Sequence, residues 1–282
     1  MHTTRFAPSP TGLLHLGHAF AAITAAEAAE GGTFLVRIDD LDSGRARPEF
    51  ERTIDEDLTW LGLSWKKPVL HQSARLDVYR SAVAQLGTEG LVYPCFCTRQ
   101  EIAAEIARAP QAPHSFNFTN YPGTCRTLSA AERAEAIGRE RPYVMRLDVN
   151  AAAARVAPLS FTELGAGPGD ERGVIAVNPT LLGDIVLARK DVPVAYHLAV
   201  VMDDAFQEVS LVTRGNDLFT ATHVQRLLQA LLQLPQPLYA HHRLILDASG
   251  KKFSKRDRAV TLRNLRERGT SNTEVRRTLF AT

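Results

Sequence analysis

The chain has 282 residues, 45% hydrophobic and 23% charged, so it can bury one large core or two modest ones, and disorder is excluded as its dominant state. It has no solenoid-length repeat, no apolar signal-peptide core at its start and no run near the roughly 18 apolar residues of a membrane span, which makes a cytoplasmic protein without membrane contact the expectation. The net charge of +2 hides an asymmetry: residues 251–282 carry ten Lys or Arg against three Asp or Glu, which suits a polyanionic partner such as RNA or a triphosphate, or else a solvated helix face.

In chain order, a short strand at Thr3 to Ala7 meets the loop Pro8-Ser9-Pro10-Thr11-Gly12. An Ala-rich helix is predicted from Leu16 to Glu30, ended by Gly31-Gly32. Phe34 to Ile38 reads as a buried strand whose exit carries Asp39, Asp40 and Asp42, and helices are predicted over Pro48 to Leu61 and Arg75 to Glu89. Strand, turn and helix in this order point to a parallel sheet. The stretch 91–190 reads as an insertion, with all three cysteines and an Ala- and Gly-rich part, Ala151 to Asp170, of little periodicity. Alternation returns with an apolar stretch at Val194 to Met202, a strand at Val209 to Thr213, a helix at Thr220 to Leu234 and a strand at Leu244 to Leu246. The expected class is α/β: residues 1–90 and 191–256 form two halves of a Rossmann-like domain, 91–190 an inserted subdomain and 257–282 a short basic segment.

Two blocks carry chemistry. In Arg5-Phe6-Ala7-Pro8-Ser9-Pro10-Thr11-Gly12-Leu13-Leu14-His15-Leu16-Gly17-His18, the two histidines share one face of a helix start, where unpaired N–H groups and the helix dipole attract phosphate. Gly17 lets a nucleotide approach the backbone. Lys251-Lys252-Phe253-Ser254-Lys255-Arg256 follows the turn Asp247-Ala248-Ser249-Gly250, and its lysines can close over a triphosphate and neutralise charge developing at the α-phosphate. Cys95, Cys97 and Cys125 are too few for a disulfide framework. Zinc needs a fourth ligand besides three thiolates, with Tyr121 and His114 as candidates, and three reduced thiols are the alternative.

Together these blocks resemble the signature elements of class I aminoacyl-tRNA synthetases, His15 to His18 matching the HIGH element and Lys252 to Arg256 the KMSKS element. The resemblance is nearest to the glutamyl branch, through residues 5–18, Arg37-Ile38-Asp39-Asp40-Leu41-Asp42, Tyr196 to Asp204 and Arg214-Gly215. It is weakest from 130 to 190. The resemblance implies a ligase that uses ATP and Mg²⁺ on L-glutamate, with an inserted zinc-containing subdomain of the acceptor-binding type. It implies ATP contacts from His15, Gly17, His18, Lys252, Ser254 and Lys255, of which His15, His18 and Lys255 are catalytic. For glutamate it implies Arg5 and Arg214 as the two cations, Ser9 and Tyr196 as hydroxyl contacts, and Asp39 at the ammonium, where the family has Glu. Asp40 is a fallback for that role, and each arginine taken singly could be a structural ion pair.

The compact members of the branch carry a Cys-x-Cys, Tyr-x-x-x-Cys site, which implies Zn²⁺ on Cys95, Cys97, Tyr121 and Cys125. Only 26 residues follow Arg256, where members that read an anticodon carry a large helical domain. The chain is therefore expected to act as a monomer of the compact kind, which attaches glutamate to the queuosine base in the anticodon loop of tRNA(Asp). Leu41 and Val200, where longer members have Thr and Asn, agree. The alternatives are a truncated glutamyl-tRNA synthetase charging a tRNA 3′ end, a small-molecule nucleotidyltransferase and a non-catalytic binding module.

Overall fold

The computed structural model describes residues 1–108, 121–189, 194–246 and 260–281. Strand β1 (Thr3–Phe6) leads to helix α1 (Leu16–Ala28), and β2 (Thr33–Ile38) returns parallel to β1. Five of the six β2 residues are buried, as a parallel strand covered on both faces requires. Helix α1 stops two residues short of its expected end, because Glu30 and Gly31 adopt φ of +50° and +78°. Helix α2 (Pro48–Trp60) starts with proline, whose missing N–H costs nothing there, and β3 (Lys66–His71) then adds to β2 in parallel.

Helix α3 (Leu76–Thr88), strand β4 (Val92–Cys95), helices α4 (Arg99–Arg108) and α5 (Ala130–Gly138), strand β5 (Val144–Leu147) and helix α6 (Val149–Ala153) follow. Next come β6 (Ser160–Glu163), β7 (Gly173–Ala176), β8 (Val186–Arg189), α7 (Tyr196–Phe206), β9 (Leu211–Gly215), α8 (Phe219–Leu231) and β10 (Leu238–His242). Helices α9 (Leu262–Glu267) and α10 (Asn272–Phe280) end the described elements.

The strands form three sheets, ordered β1-β2-β3, β7-β6-β10-β9 and β4-β5-β8. The first is parallel, the second is parallel through β6, β10 and β9 with β7 antiparallel at its edge, and the third is antiparallel. Two groups of strands within 91–190 thus part company: β4, β5 and β8 form their own sheet, whereas β6 and β7 join β9 and β10. The two parallel sheets abut along β1 and β9, where Ser210 N donates to Thr3 O and Thr3 N to Ser210 Oγ, both at 3.0 Å. An open α/β sheet has its crevice beyond the carboxyl ends of such strands. The α/β class with parallel strands is thereby met.

The last sheet strand lies at Leu238–His242, ahead of the expected Leu244 to Leu246. Tyr239 and His241 face inward there, while Ile245 packs on another cluster and Leu246 is exposed. One core cluster unites α3, α7 and α8 through Tyr79, Leu86, Leu198 and Leu228. A second joins α1 to α2, α9 and α10 through Ile23, Leu58, Leu262 and Leu279. No described helix is long and apolar enough to cross a membrane.

Polar chemistry also ties the layers together. Asp203 on α7 is fully buried and accepts from Gln72 Nε2, Arg75 Nε and the Tyr79 hydroxyl, each at 2.8 Å, and Arg37 Nε of β2 lies 3.9 Å away. Replacing Asp203 by Ala should leave Arg75 and Arg37 short of negative charge and cost about 3–5 kcal/mol. Urea denaturation measures this, and a loss below about 1 kcal/mol would contradict the linking role.

Candidate active site

Helix α1 is capped by its own histidines. Gly17 N donates to His15 Nδ1, and His15 N to His18 Nδ1, both at 3.1 Å, which closes a reciprocal capping box. An imidazole that accepts at Nδ1 carries its proton on Nε2 when neutral. Both rings therefore bear a donor at the positive end of α1, where phosphate is favoured. A side chain at Gly17 would place its Cβ 3.1 Å from His15 Cε1, so this glycine makes room for the ring. Thr261 pairs with His15 and Leu262 N donates to Leu14 O at 2.8 Å, so the chain that follows the lysine block returns to the histidines. Lys252, Ser254 and Lys255 themselves lie outside the described residues, as does His114.

A cavity of about 440 Å³ opens beside this helix start at the ends of β1, β2 and β9. Arg5, Ser9, Asp39, Tyr196, Arg214 and His18 all line it, so residues up to 209 positions apart meet at one place. Their electrostatics differ. Arg5 is buried and already paired: its Nε lies 3.0 Å from Asp204 Oδ1, and its NH1 donates to Thr213 O at 3.1 Å. Arg37 NH1 donates to the same Asp204 oxygen at 2.7 Å, and Arg37 Nε donates to Asp39 Oδ1 at 2.9 Å. Burial opposes the Asp204 charge, yet Arg5 and Arg37 together hold its carboxyl below the usual range. At Asp39 burial wins against Arg37 and pushes the carboxyl up to about 6.

Arg214 is different. Its Nε donates to His241 Nε2 at 3.0 Å, NH1 to Gln225 Oε1 at 2.7 Å and NH2 to Thr222 Oγ1 at 2.7 Å. All three partners are uncharged acceptors, and among the described residues no carboxylate pairs with this buried guanidinium. Of the two cations expected from the sequence, Arg5 is thus paired with Asp204, while Arg214 is held by uncharged acceptors among the described residues. Asp40 faces away from the cavity, accepting from Ser73 N at 2.8 Å. Asp204, Arg37, Thr222, Gln225 and His241 were not singled out by residue type or spacing. Two adjacent acids inside the apolar run of α7 were the available signal for Asp204.

At the end of β4 and just past it, Cys95, Cys97 and, from further along the chain, Cys125 place their Sγ atoms within 4.8 Å of one another. The Tyr121 hydroxyl lies 3.6 Å from Cys97 Sγ and accepts from Cys125 N at 2.7 Å, so its oxygen sits at the edge of the sulfur triangle. Three sulfurs and one oxygen at these separations are compatible with tetrahedral zinc, whose bonds to sulfur run near 2.3 Å.

A family model described as tRNA synthetases class I (E and Q), catalytic domain, matches residues 2–280. The glutamyl-Q tRNA(Asp) synthetase of Rhodobacter capsulatus is 46% identical, covering 97% of this chain and 98% of its own length. That of Nocardia farcinica is 42% identical over 96% of this chain and 81% of its own. Among solved structures, a glutamate tRNA ligase from Elizabethkingia meningosepticum in complex with its amino acid aligns with a TM-score of 0.70 at 30% identity. It matches 91% of this chain, which spans about half, 52%, of that ligase.

The capping geometry at α1 can be tested by stability alone. His15→Ala should cost about 1 kcal/mol, whereas His15→Ser, which restores a capping oxygen, should recover most of it. Thermal unfolding of both variants gives the answer, and an undiminished His15→Ala protein would dismiss the cap.

Proposed function

The chain belongs to the class I tRNA synthetases of the glutamate and glutamine group, and from that premise we propose that it activates L-glutamate with ATP and transfers it to the queuosine base in the anticodon loop of tRNA(Asp). Charge in the cavity wall is the observation that carries this reading. Arg5, Arg37 and Arg75 are matched by Asp39, Asp203 and Asp204 in one buried lattice, while Arg214 is held by neutral groups. A ligand with a net negative charge complements that surplus. Free glutamate has two carboxylates and one ammonium. Its side-chain carboxylate fits Arg214, which keeps one N–H on each terminal nitrogen after its three hydrogen bonds. Its ammonium fits Asp39, and Ser9, Tyr196 and Arg5 complete the pocket.

In the first step an oxygen of the glutamate α-carboxylate attacks the α-phosphorus of ATP. The bond to the β-phosphate's bridging oxygen breaks, and pyrophosphate leaves with the electron pair. In the second, a ring hydroxyl of queuosine attacks the carbonyl of glutamyl-adenylate, loses its proton and expels AMP. Neither step needs a protein nucleophile, so catalysis consists of positioning and stabilisation of phosphate charge. His15 and His18 offer ring N–H groups to the phosphates. Gly17 keeps the approach open, and Lys252, Ser254 and Lys255 bind the triphosphate, with Lys255 acting on the charge that develops as pyrophosphate leaves. Mg²⁺ held chiefly through the nucleotide supplies further neutralisation.

The pocket makes glutamate binding pH-dependent. Because an ammonium favours ionised Asp39, affinity should be full well above pH 6 and fall as pH drops through about 6. Calorimetric titration of glutamate without ATP reads this, and Asp39→Asn should bind weakly with a flat profile. A wild-type profile that stays flat from pH 7.5 to 5.5 would remove Asp39 from the ammonium site. At the cysteines, Cys95, Cys97, Cys125 and Tyr121 would hold a structural zinc that orders the chain beyond β4 and leaves no open position for chemistry. Protein purified without chelator should contain about one zinc per chain, and Cys97→Ser should lose metal and stability together. Metal-free wild-type protein would return Cys95, Cys97 and Cys125 to reduced thiols.

The reading of the acceptor is supported by near-full-length similarity to proteins named for tRNA(Asp). Radiolabelled glutamate should attach to tRNA(Asp) that carries queuosine, and nuclease mapping should recover the label in the anticodon loop. Equal labelling of tRNA lacking queuosine, or label on the terminal adenosine, would favour the reading as an enzyme that charges the 3′ end.

A further inference from the structure

The surplus guanidinium is itself held in place by a device that lies outside the cavity. Arg has no acceptor, so in the 3.0 Å contact between Arg214 Nε and His241 Nε2 the histidine nitrogen must accept and carries no proton. His241 is therefore neutral with its proton on Nδ1, which donates to Glu163 Oε2 at 2.6 Å. Burial first, and Arg214 next to it, lower the pKa of this histidine, against the attraction of Glu163. The other Glu163 oxygen accepts from two backbone amides, Gly165 N and His241 N, both at 2.8 Å. Both side chains of the Glu163–His241 pair are fully buried. The imidazole is boxed by the rings of Phe219, 5.2 Å away and edge-on, and Tyr239, nearly parallel at 6.2 Å.

We propose that Glu163 and His241 are positioning residues for Arg214: the carboxylate of β6 fixes the tautomer and rotation of the β10 histidine, whose Nε2 in turn fixes the plane of the guanidinium at the end of β9. Three adjacent strands thus set the direction of the two remaining Arg214 donors. A protonated His241 would present N–H to N–H and turn the guanidinium away, and burial against Arg214 disfavours that form. The pair touches no substrate and acts only through Arg214. This inference rests on the reading of Arg214 as the site of the glutamate side-chain carboxylate.

Two amide variants separate the pair's two contacts. His241→Gln can place an oxygen where Nε2 stands and still accept from Arg214. His241→Asn can reproduce the Nδ1 donor to Glu163 but reaches no acceptor to Arg214. In glutamate-dependent ATP–pyrophosphate exchange by the full chain, His241→Asn should raise the KM for glutamate about tenfold or more with kcat nearly unchanged, and His241→Gln should stay within about threefold of wild type. The Arg214 Nε–H resonance should exchange slowly with water in wild type and His241→Gln, and quickly in His241→Asn. An unchanged KM in His241→Asn, or equal impairment of the two variants at equal thermal stability, overturns the proposal. Should the wild type show no glutamate-dependent exchange, the functional reading fails on its own. The Arg214 exchange pattern still decides the inference, because a protected Nε–H in His241→Asn refutes it.

Discussion

A buried guanidinium, Arg214, that no carboxylate pairs with among the described residues is the constraint around which this molecule is arranged. Burying an unpaired cation is costly, so the fold must surround Arg214 with acceptors that carry no charge. Thr222 and Gln225 from α8 and His241 from β10 supply them. A neighbouring carboxylate would be the simpler solution and the protein uses it three times nearby, at Asp39, Asp203 and Asp204. Neutral partners keep the charge of Arg214 available to a ligand, which is the property that the proposed glutamate pocket needs. The neutralised Arg5 beside it then serves as a shaped donor more than as a source of charge.

The same economy of roles holds at the nucleotide end. His15 and His18 each spend Nδ1 on the backbone of α1, so the cap that starts the helix also sets the tautomer of both neutral rings. Because Thr261 and Leu262 pair with His15 and Leu14, α9 is fixed to the loop ahead of α1. The lysine block precedes that anchor directly in sequence.

Much of this was legible because it is local. The strand, loop and helix of residues 3–28 follow from local pattern, and the cavity residues Arg5, Ser9, Asp39, Tyr196 and Arg214 and the Tyr121 position beside the cysteines were reached through the resemblance that short contiguous motifs carry. What was hidden depends on partners far apart in sequence: Arg5 meets Asp204 across 199 positions, and His241 meets Glu163 across 78. Strand β10 was misplaced for a related reason. Its inward position 241 carries a histidine required by Arg214, and two prolines precede it, so the apolar Leu244 to Leu246 looked the better strand. Strands β6 and β7 sit in sequence whose Gly and Ala content masks alternation, and only pairing defines them, β6 with β10 and β7 with β6. Function and tertiary context together overrode local pattern at those places.

The proposed pocket requires a second negative charge on its amino acid. Glutamine has the shape of glutamate without it, and would leave Arg214 buried and unpaired. The most direct measurement is kcat/KM for ATP–pyrophosphate exchange without tRNA, with glutamate and glutamine side by side on the same enzyme. The predicted result is a preference for glutamate on the order of 100-fold or more, from one unmet charged contact in a desolvated site. Equal activity with the two amino acids would contradict the account.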